Sequence, residues 1–223
     1  NKNSNSITYS KAFSDTMVNI AEQNNKVVCV TAAMEKGTGL ENFANKFKNR
    51  YFDVGIAEEH AITYSAGLSI SGYIPIVAIY STFIQRSYDQ IFHDIALQNI
   101  PIIMCLDRAG LVGPDGPTHH GVFDISIFRS IPNIIISAPK NGNELQNLIY
   151  TAIQSEKIFI IRYPKGNCLK YNGYNPELIK IGSWEILNEG NDIAILSVGS
   201  MIEIASNACK IIKQKFNLEI TLI

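Results

Sequence analysis

Net charge is almost absent from this chain. Its 19 Lys and Arg stand against 20 Asp and Glu, leaving −1 at neutral pH. A protein that gripped nucleic acid or an anionic membrane through its overall field would carry a basic excess, so neither partner is expected. No apolar run reaches the roughly 20 residues that cross a bilayer, and no secretory leader is visible. Cysteine is scarce: Cys29, Cys105, Cys168 and Cys209 are widely spaced and form no CxxC pair. Cys29 and Cys105 lie inside apolar, strand-like runs, so they read as reduced core residues rather than metal ligands or disulfide halves. Arginine is scarce too, 5 against 14 Lys, beside 36 Ile and 21 Asn. That bias speaks of an AT-rich genome, not of a function.

What is present is a core. Hydrophobic residues make up 46% of 223 positions, enough for one large domain or one and a half ordinary ones. Apolar runs and helical stripes alternate along the chain. A helix is expected over 9–23, with Ala12, Phe13, Thr16, Met17 and Ile20 as its buried stripe. Continuous apolar strands are expected at 27–31, 73–80, 101–107, 133–137 and 158–163, as in a sheet covered on both faces. Helices are expected from Ala57 to Gly72 and over 81–98, 124–129 and 142–155, with a turn at Gly37-Thr38-Gly39 before a short helix over 40–46. The fold class that follows is α/β, a parallel sheet with helices on both faces. Residues 1–6 and the turn-rich 164–176 read as linkers. A second α/β pattern begins near Trp184: apolar stretches at 184–187 and 193–198, a helix over 201–215 and a last apolar strand, Leu218 to Ile223. It is too short for a whole domain, so the chain reads as a piece of a longer one. The expected division is 7–165, a linker over 166–181, and 182–223.

The stretch Tyr51 to His60 organises the chemistry. An apolar strand end, Tyr51 to Val54, meets Gly55, and a helix follows. Glu58 therefore sits in a helix's first turn just past the carboxyl end of a strand, where open parallel sheets bind ligands. Glu58 and Glu59 could simply complement the helix dipole. Flanked by Ile56 and Ala57, however, the Glu58 carboxyl should be poorly solvated and biased towards its protonated form, a state suited to sharing a proton with a ligand nitrogen. In the 81–98 helix, Ile84, Tyr88, Ile91 and Ile95 form the core stripe. Phe83 heads a different row, Ser87, Gln90 and Asp94, and an aromatic at the head of a polar row faces a ligand or a partner more readily than the core. Residues 108–121, RAGLVGPDGPTHHG, carry four glycines and two prolines. A loop of that length after a strand is usually functional, and it brings Arg108, Asp115, His119 and His120 to the same edge. The two histidines are adjacent and lack a third ligand at usual spacing, so a metal site is not expected. Arg162 closes the last strand before Pro164; alone, it would read as a solvated charge.

Four segments then match one family in order and spacing: YFDVGIAEEHA at 51–61, PIVAIYSTFIQRSYDQIFHD at 75–94, DRAGLVGPDGPTHHG at 107–121 and RYPKGN at 162–167. The chain resembles the middle domain and the start of the C-terminal domain of the 1-deoxy-D-xylulose-5-phosphate synthases, transketolase-like enzymes that depend on thiamin diphosphate. The resemblance implies a pyrimidine-binding domain. It implies that Glu58 hydrogen-bonds the aminopyrimidine nitrogen and promotes loss of the thiazolium proton, with Phe83 stacked on the pyrimidine and Tyr80 and Arg86 flanking it. His119 and Asp115 would face the substrate, with His119 also catalytic and Tyr80 also touching substrate. Arg108 and Arg162 would hold a sugar phosphate. Pyruvate would lose carbon dioxide, and the remaining two carbons would join D-glyceraldehyde 3-phosphate.

The family holds Mg²⁺ and the cofactor's diphosphate on a Gly-Asp-Gly motif in its N-terminal domain. No Gly-Asp-Gly occurs here, so the resemblance implies half of an active site, completed by that domain in a homodimer, with no metal ligand in this stretch and no activity from it alone. A transketolase or a pyruvate dehydrogenase β subunit differs in acceptor. A non-catalytic module of the same fold would not need Glu58, Phe83, His119, Arg108 and Arg162 together. The family's route to isoprenoids runs in bacteria and plastids, and the compositional bias points to a plastid-like organelle (an apicoplast), with the bacterial cytoplasm as the alternative.

Overall fold

Six short strands account for most of the apolar runs. The computed structural model describes residues 7–223; the stretch 1–6, expected to be a linker, lies outside the described residues. A two-residue strand β1 (Ile7–Thr8) leads into α1 (Tyr9–Gln23). Thr8 caps that helix by accepting a hydrogen bond from the Lys11 N–H at 3.1 Å, which satisfies one of the donors a helix start leaves free. The expected stripe of α1 is buried in full: Ala12, Phe13, Thr16, Met17 and Ile20 are all at most 4% exposed. Then follow β2 (Val27–Thr31), α2 (Glu35–Thr38), α3 (Glu41–Lys46), β3 (Tyr51–Asp53), α4 (Glu58–Ile70) and β4 (Ile74–Tyr80). Gly37 and Thr38 thus belong to a helical turn, not to the turn the sequence suggested. The reversal is at Gly39 alone, whose φ of 81° puts it in the left-handed region that glycine adopts without strain.

The segment expected as one helix over 81–98 is not one. It runs as a 3₁₀ turn (Ile84–Ser87), one turn of α-helix, α5 (Tyr88–Gln90), and a π-helical stretch (Ile91–Ala96). The changes of period rotate its faces. Ile84, Ile91 and Ile95 are buried as expected, but Tyr88 is exposed, and Ser87, assigned to a polar row, is fully buried. Such π segments concentrate at functional sites.

The chain continues through β5 (Ile103–Asp107), two 3₁₀ turns (Gly113–Asp115 and Pro117–His119), α6 (Asp124–Phe128), β6 (Ile134–Ser137), α7 (Gly142–Ser155) and β7 (Ile158–Arg162). The strands form one six-stranded sheet in the order β3-β2-β4-β5-β7-β6, parallel throughout. Alternate residues of each strand serve opposite faces. Cys29, Ile76, Ala78, Ile103, Cys105, Phe159 and Ile161 pack with α1 and α7. Val30, Val77, Ile79, Met104, Leu106 and Ile160 pack with α4 and the 84–96 segment. The sheet is therefore buried on both sides, which is why its strands read as continuous apolar runs.

After β7, the turn-rich segment is tied down. Its β8 (Asn167–Cys168) pairs antiparallel with β1, and the residues that follow, to Ile179, run along α7. One face of that helix holds them. Asn143, Gln146, Asn147 and Thr151 accept hydrogen bonds from the backbone N–H groups of Asn172, Asn175, Glu177 and Ile179 at 2.9–3.0 Å. The remainder comprises β9 (Ile193–Ile195), a 3₁₀ turn, α8 (Ile202–Phe216) and β10 (Ile220–Leu222), with β9 and β10 paired in parallel. The apolar stretch 184–187 forms no strand.

Candidate active site

The carboxyl ends of β2, β3, β4, β5 and β7 open on one edge of the sheet. The chain runs outward from β2 to β3 and then back across to β4, so the strand order reverses between β2 and β4, and a crevice forms at such a point. Asp53, at the end of β3, holds the rim: its Oδ1 accepts from the N–H groups of Ala33 at 2.8 Å and Gly55 at 3.0 Å. Helix α4 starts directly afterwards, with Ala57 as its N-cap residue and Glu58 as its first helical residue. Glu58 is 1% exposed, so the buried carboxyl inferred from the sequence is present. The inferred cause was wrong, because Ile56 is 80% exposed and shields nothing. The partner was missed as well. Arg86 Nη1 lies 2.9 Å from Glu58 Oε1, on a guanidinium that is half exposed. Glu58 Oε2 accepts no hydrogen bond among the described residues.

Aromatic rings continue the site from there. The Arg86 guanidinium lies 5.2 Å from the centre of the Phe83 ring. Phe83 stacks beside Tyr80, with ring centres 5.9 Å apart and planes at 18°, and receives His119 edge-on at 5.3 Å and 75°. Both geometries are favourable for aromatic pairs. Thr82 Oγ1 donates to the Thr118 carbonyl at 3.2 Å, fastening the 108–121 loop over this cluster. Burial raises the Tyr80 hydroxyl above its ordinary range, against the opposing pull of Arg108.

Arg108 begins the loop with φ at 61°, an uncommon conformation for a residue with a side chain. It folds its side chain back over the Tyr80 ring, 4.0 Å from its centre, within cation–π range. Its Nη1 donates to the Gly37 carbonyl and lies 3.2 Å from Asp107 Oδ2, and its Nε is 3.7 Å from Asp115. Lys165, absent from the residues singled out in the sequence, pairs with the other oxygen of Asp115 and, with Arg108, holds that carboxyl below the usual range. The loop's neck is closed by reciprocal backbone bonds between Gly110 and Gly121 at 2.8 and 2.9 Å. His120 Nδ1 accepts from the Val112 N–H at 3.2 Å, which makes it a brace of the loop.

Asp107 was read only as a strand end. It is fully buried, and burial pushes its carboxyl up, opposed by Arg108 and by hydrogen bonds from Ser10 at 2.6 Å and the Arg108 N–H at 2.6 Å. A carboxyl raised on folding gives up its proton first in the unfolded chain. Its contribution to stability is therefore full below the ordinary aspartate value and is lost as pH rises through the folded value. In thermal melts of this chain, the difference between Asp107→Asn and the parent should move in favour of the variant as pH climbs above about 4, the ordinary aspartate value. A pH-independent difference would show that Asp107 does not titrate this way.

Arg162 closes β7 beside the end of β5, where Leu106 is its register partner. Among the described residues its side chain bonds to none of the other predicted site residues and is held by Asp124 instead. Its Nε donates to Asp124 Oδ2 at 2.7 Å, and the same oxygen accepts from Ser81 Oγ at 2.9 Å. Neither Asp124 nor Ser81 was singled out in the sequence, where an aspartate opening a helix reads as a dipole partner.

The model of the transketolase pyrimidine-binding domain matches residues 5–170. The chain belongs to this transketolase pyrimidine-binding family. Curated relatives named 1-deoxy-D-xylulose-5-phosphate synthase include those of Halothermothrix orenii, 50% identical over 93% of this chain, and Aquifex aeolicus, 51% identical over 89%. That of Clostridium tetani is 48% identical over 100% of the chain. All three are bacterial. The chain spans about a third of their length, 33%, 32% and 36%. Among solved structures, a split-gene transketolase forming an inactive β4 tetramer superposes with a TM-score of 0.85 at 24% identity, covering 98% of this chain and 71% of its own. A transketolase from Leishmania mexicana gives 0.81 at 20%, covering 100% of this chain and 34% of its own. These likenesses show the shared fold: a parallel sheet flanked by helices, as the sequence implied.

A carboxylate on a side chain 1% exposed, with one oxygen that accepts no hydrogen bond among the described residues, and an aromatic ring reached through Arg86 fit a ring carrying a basic nitrogen. Among the described residues, no group of three or more His, Cys, Asp or Glu could hold a metal ion. No helix of the described residues is long and apolar enough to cross a membrane.

Proposed function

We propose that this chain is part of a thiamin-diphosphate-dependent 1-deoxy-D-xylulose-5-phosphate synthase and builds the pyrimidine- and acceptor-binding half of its active site. The supporting observation is Glu58, buried against an Arg86 whose guanidinium lies over the Phe83 ring, in a chain about half identical to proteins of that name. In this reading the cofactor, when bound, supplies a carbanion able to attack the carbonyl of pyruvate. Everything else is the chain's work. Glu58 holds and releases a proton at the pyrimidine nitrogen, and Phe83 fixes the ring plane. Tyr80 and Arg86 border the ring, with Tyr80 also reaching substrate. His119 and Asp115 face the substrate from the loop, His119 handling protons there, and Arg108 and Arg162 take the phosphate of D-glyceraldehyde 3-phosphate, a task suited to the guanidinium fork.

The proposed division is a pyrimidine-binding domain over 7–165, an anchored linker over 166–181 and the opening of a C-terminal domain over 182–223. Mg²⁺ and the diphosphate would be held by an N-terminal domain of the same protein, in a homodimer. The Ile-, Asn- and Lys-rich composition favours a plastid-like organelle such as an apicoplast, and the bacterial relatives favour a bacterial cytoplasm. The full-length protein should release carbon dioxide from pyruvate on addition of D-glyceraldehyde 3-phosphate and form a five-carbon ketose phosphate. Turnover only with a ketose-phosphate donor would make it a transketolase instead. The 223-residue chain alone should show no turnover and, in isothermal titration with thiamin diphosphate and Mg²⁺, no micromolar binding. One hydrogen bond and one stacking contact do not offset the cost of immobilising a flexible ligand.

A further inference from the structure

Asp124 has no part in the function proposed above, yet it is among the most enclosed charges in the molecule, 3% exposed. Oδ1 accepts from the Ile125 N–H at 2.8 Å, and Oδ2 accepts from Ser81 Oγ at 2.9 Å and from Arg162 Nε at 2.7 Å. An arginine–carboxylate pair is frequently bidentate, two parallel hydrogen bonds fork to fork. Here it is single, and the reason is local. The first oxygen is engaged by the backbone and the second is shared with a hydroxyl, so the carboxylate takes only Nε. Arg162 Nη1 and Nη2 make no hydrogen bond among the described residues, and they remain as a two-pronged donor at the carboxyl edge of the sheet. Ser81 is itself fixed: its N–H donates to the Asp107 carbonyl at 2.8 Å. Gly121 makes room for it, since a Cβ there would come within 2.4 Å of Ser81 Oγ.

We infer that Asp124, seated by Ser81, is the positioning residue for Arg162: it holds Nε so that both Nη groups are presented to the phosphate of the acceptor. A buried ion pair contributes little to stability compared with an apolar pair of the same volume, so its presence at this rim is better accounted for by orientation. The inference rests on the reading of Arg162 as a phosphate ligand, and the experiment separates the two.

In the full-length enzyme, Asp124→Asn, Ser81→Ala, Arg162→Ala and the double variant Asp124→Asn/Arg162→Ala are compared. KM and kcat are measured with D-glyceraldehyde 3-phosphate and with unphosphorylated D-glyceraldehyde, and the affinity for D-glyceraldehyde 3-phosphate is measured by isothermal titration. Asp124→Asn keeps the volume and removes the charge. It should weaken binding of the phosphorylated acceptor about tenfold, the low end of what orienting partners contribute, with KM for pyruvate and for D-glyceraldehyde unmoved. Ser81→Ala should act in the same direction and more weakly. On the Arg162→Ala background, Asp124→Asn should add nothing. If it adds its full effect there, or weakens both acceptors alike, Asp124 is a structural residue and the inference falls. If Arg162→Ala itself fails to discriminate between the acceptors, the phosphate reading falls, and the inference with it.

Discussion

Glu58→Gln in the full-length enzyme should abolish nearly all turnover while leaving the protein folded. The substitution preserves volume, and the amide oxygen can still accept from Arg86 Nη1, which now lies 2.9 Å from the carboxylate. What it cannot do is take up and return a proton at the pyrimidine nitrogen. Positioned acid–base groups contribute about 10²–10⁴-fold, and the loss should fall in that range at saturating pyruvate and acceptor alike. The melting temperature should stay close to that of the parent. Turnover within a factor of about two of the parent would leave Glu58 as a mere partner of Arg86 and the helix dipole, the small effect its position alone would predict.

The two arginines should fail in different ways. Arg162→Ala should raise KM for D-glyceraldehyde 3-phosphate by roughly 10- to 150-fold, the equivalent of about 1.5–3 kcal/mol for a hydrogen bond to a charged group, and leave KM for pyruvate, which has no phosphate, untouched. Arg108→Ala should weaken the same substrate and also destabilise the fold. Arg108 is committed to the Gly37 carbonyl, to Asp107 and to the Tyr80 ring, and its removal strands a fully buried carboxylate. Breaking a buried pair from one side costs about 3–5 kcal/mol, which urea denaturation of the 223-residue chain would register. Equal effects of Arg162→Ala on both substrates would make that arginine structural. Unchanged stability in Arg108→Ala would show that Asp107 is satisfied by Ser10 and the backbone alone.

How far the sequence could be read follows from the range of the forces involved. The stripe of α1 and the two-sided strands were legible because a repeat of 3.6 or an unbroken apolar run records burial locally. The burial of Glu58 was anticipated for the wrong reason: it was read from the neighbours Ile56 and Ala57, and Ile56 is exposed and does not provide it. The 84–96 segment was not: a stripe argument assumes one helical period, and here there are three in succession, which puts Tyr88 in solvent and Ser87 in the core. The polar framework was hidden for a different reason. Asp124 and Arg162 are 38 residues apart, Ser81 and Asp124 43, and Arg108 reaches 71 residues back to Gly37. Nothing in the local pattern of an aspartate at a helix start says which strand end it will face. The family resemblance supplied the residues expected to touch ligand and was silent on those that hold them in place.

Composition misleads about motion in a similar way. The segment between Gly166 and Asn175 is the stretch that would be chosen as a hinge, for its glycines, asparagines and turns. Its backbone is instead threaded through the side chains of α7, and the last of those attachments is the Ile179 N–H on Thr151. A pivot for the residues beyond must therefore lie after Ile179. Amides of Asn172, Asn175, Glu177 and Ile179 should exchange with solvent as slowly as those of a helix, and a protease should cut later in the chain than the turns invite.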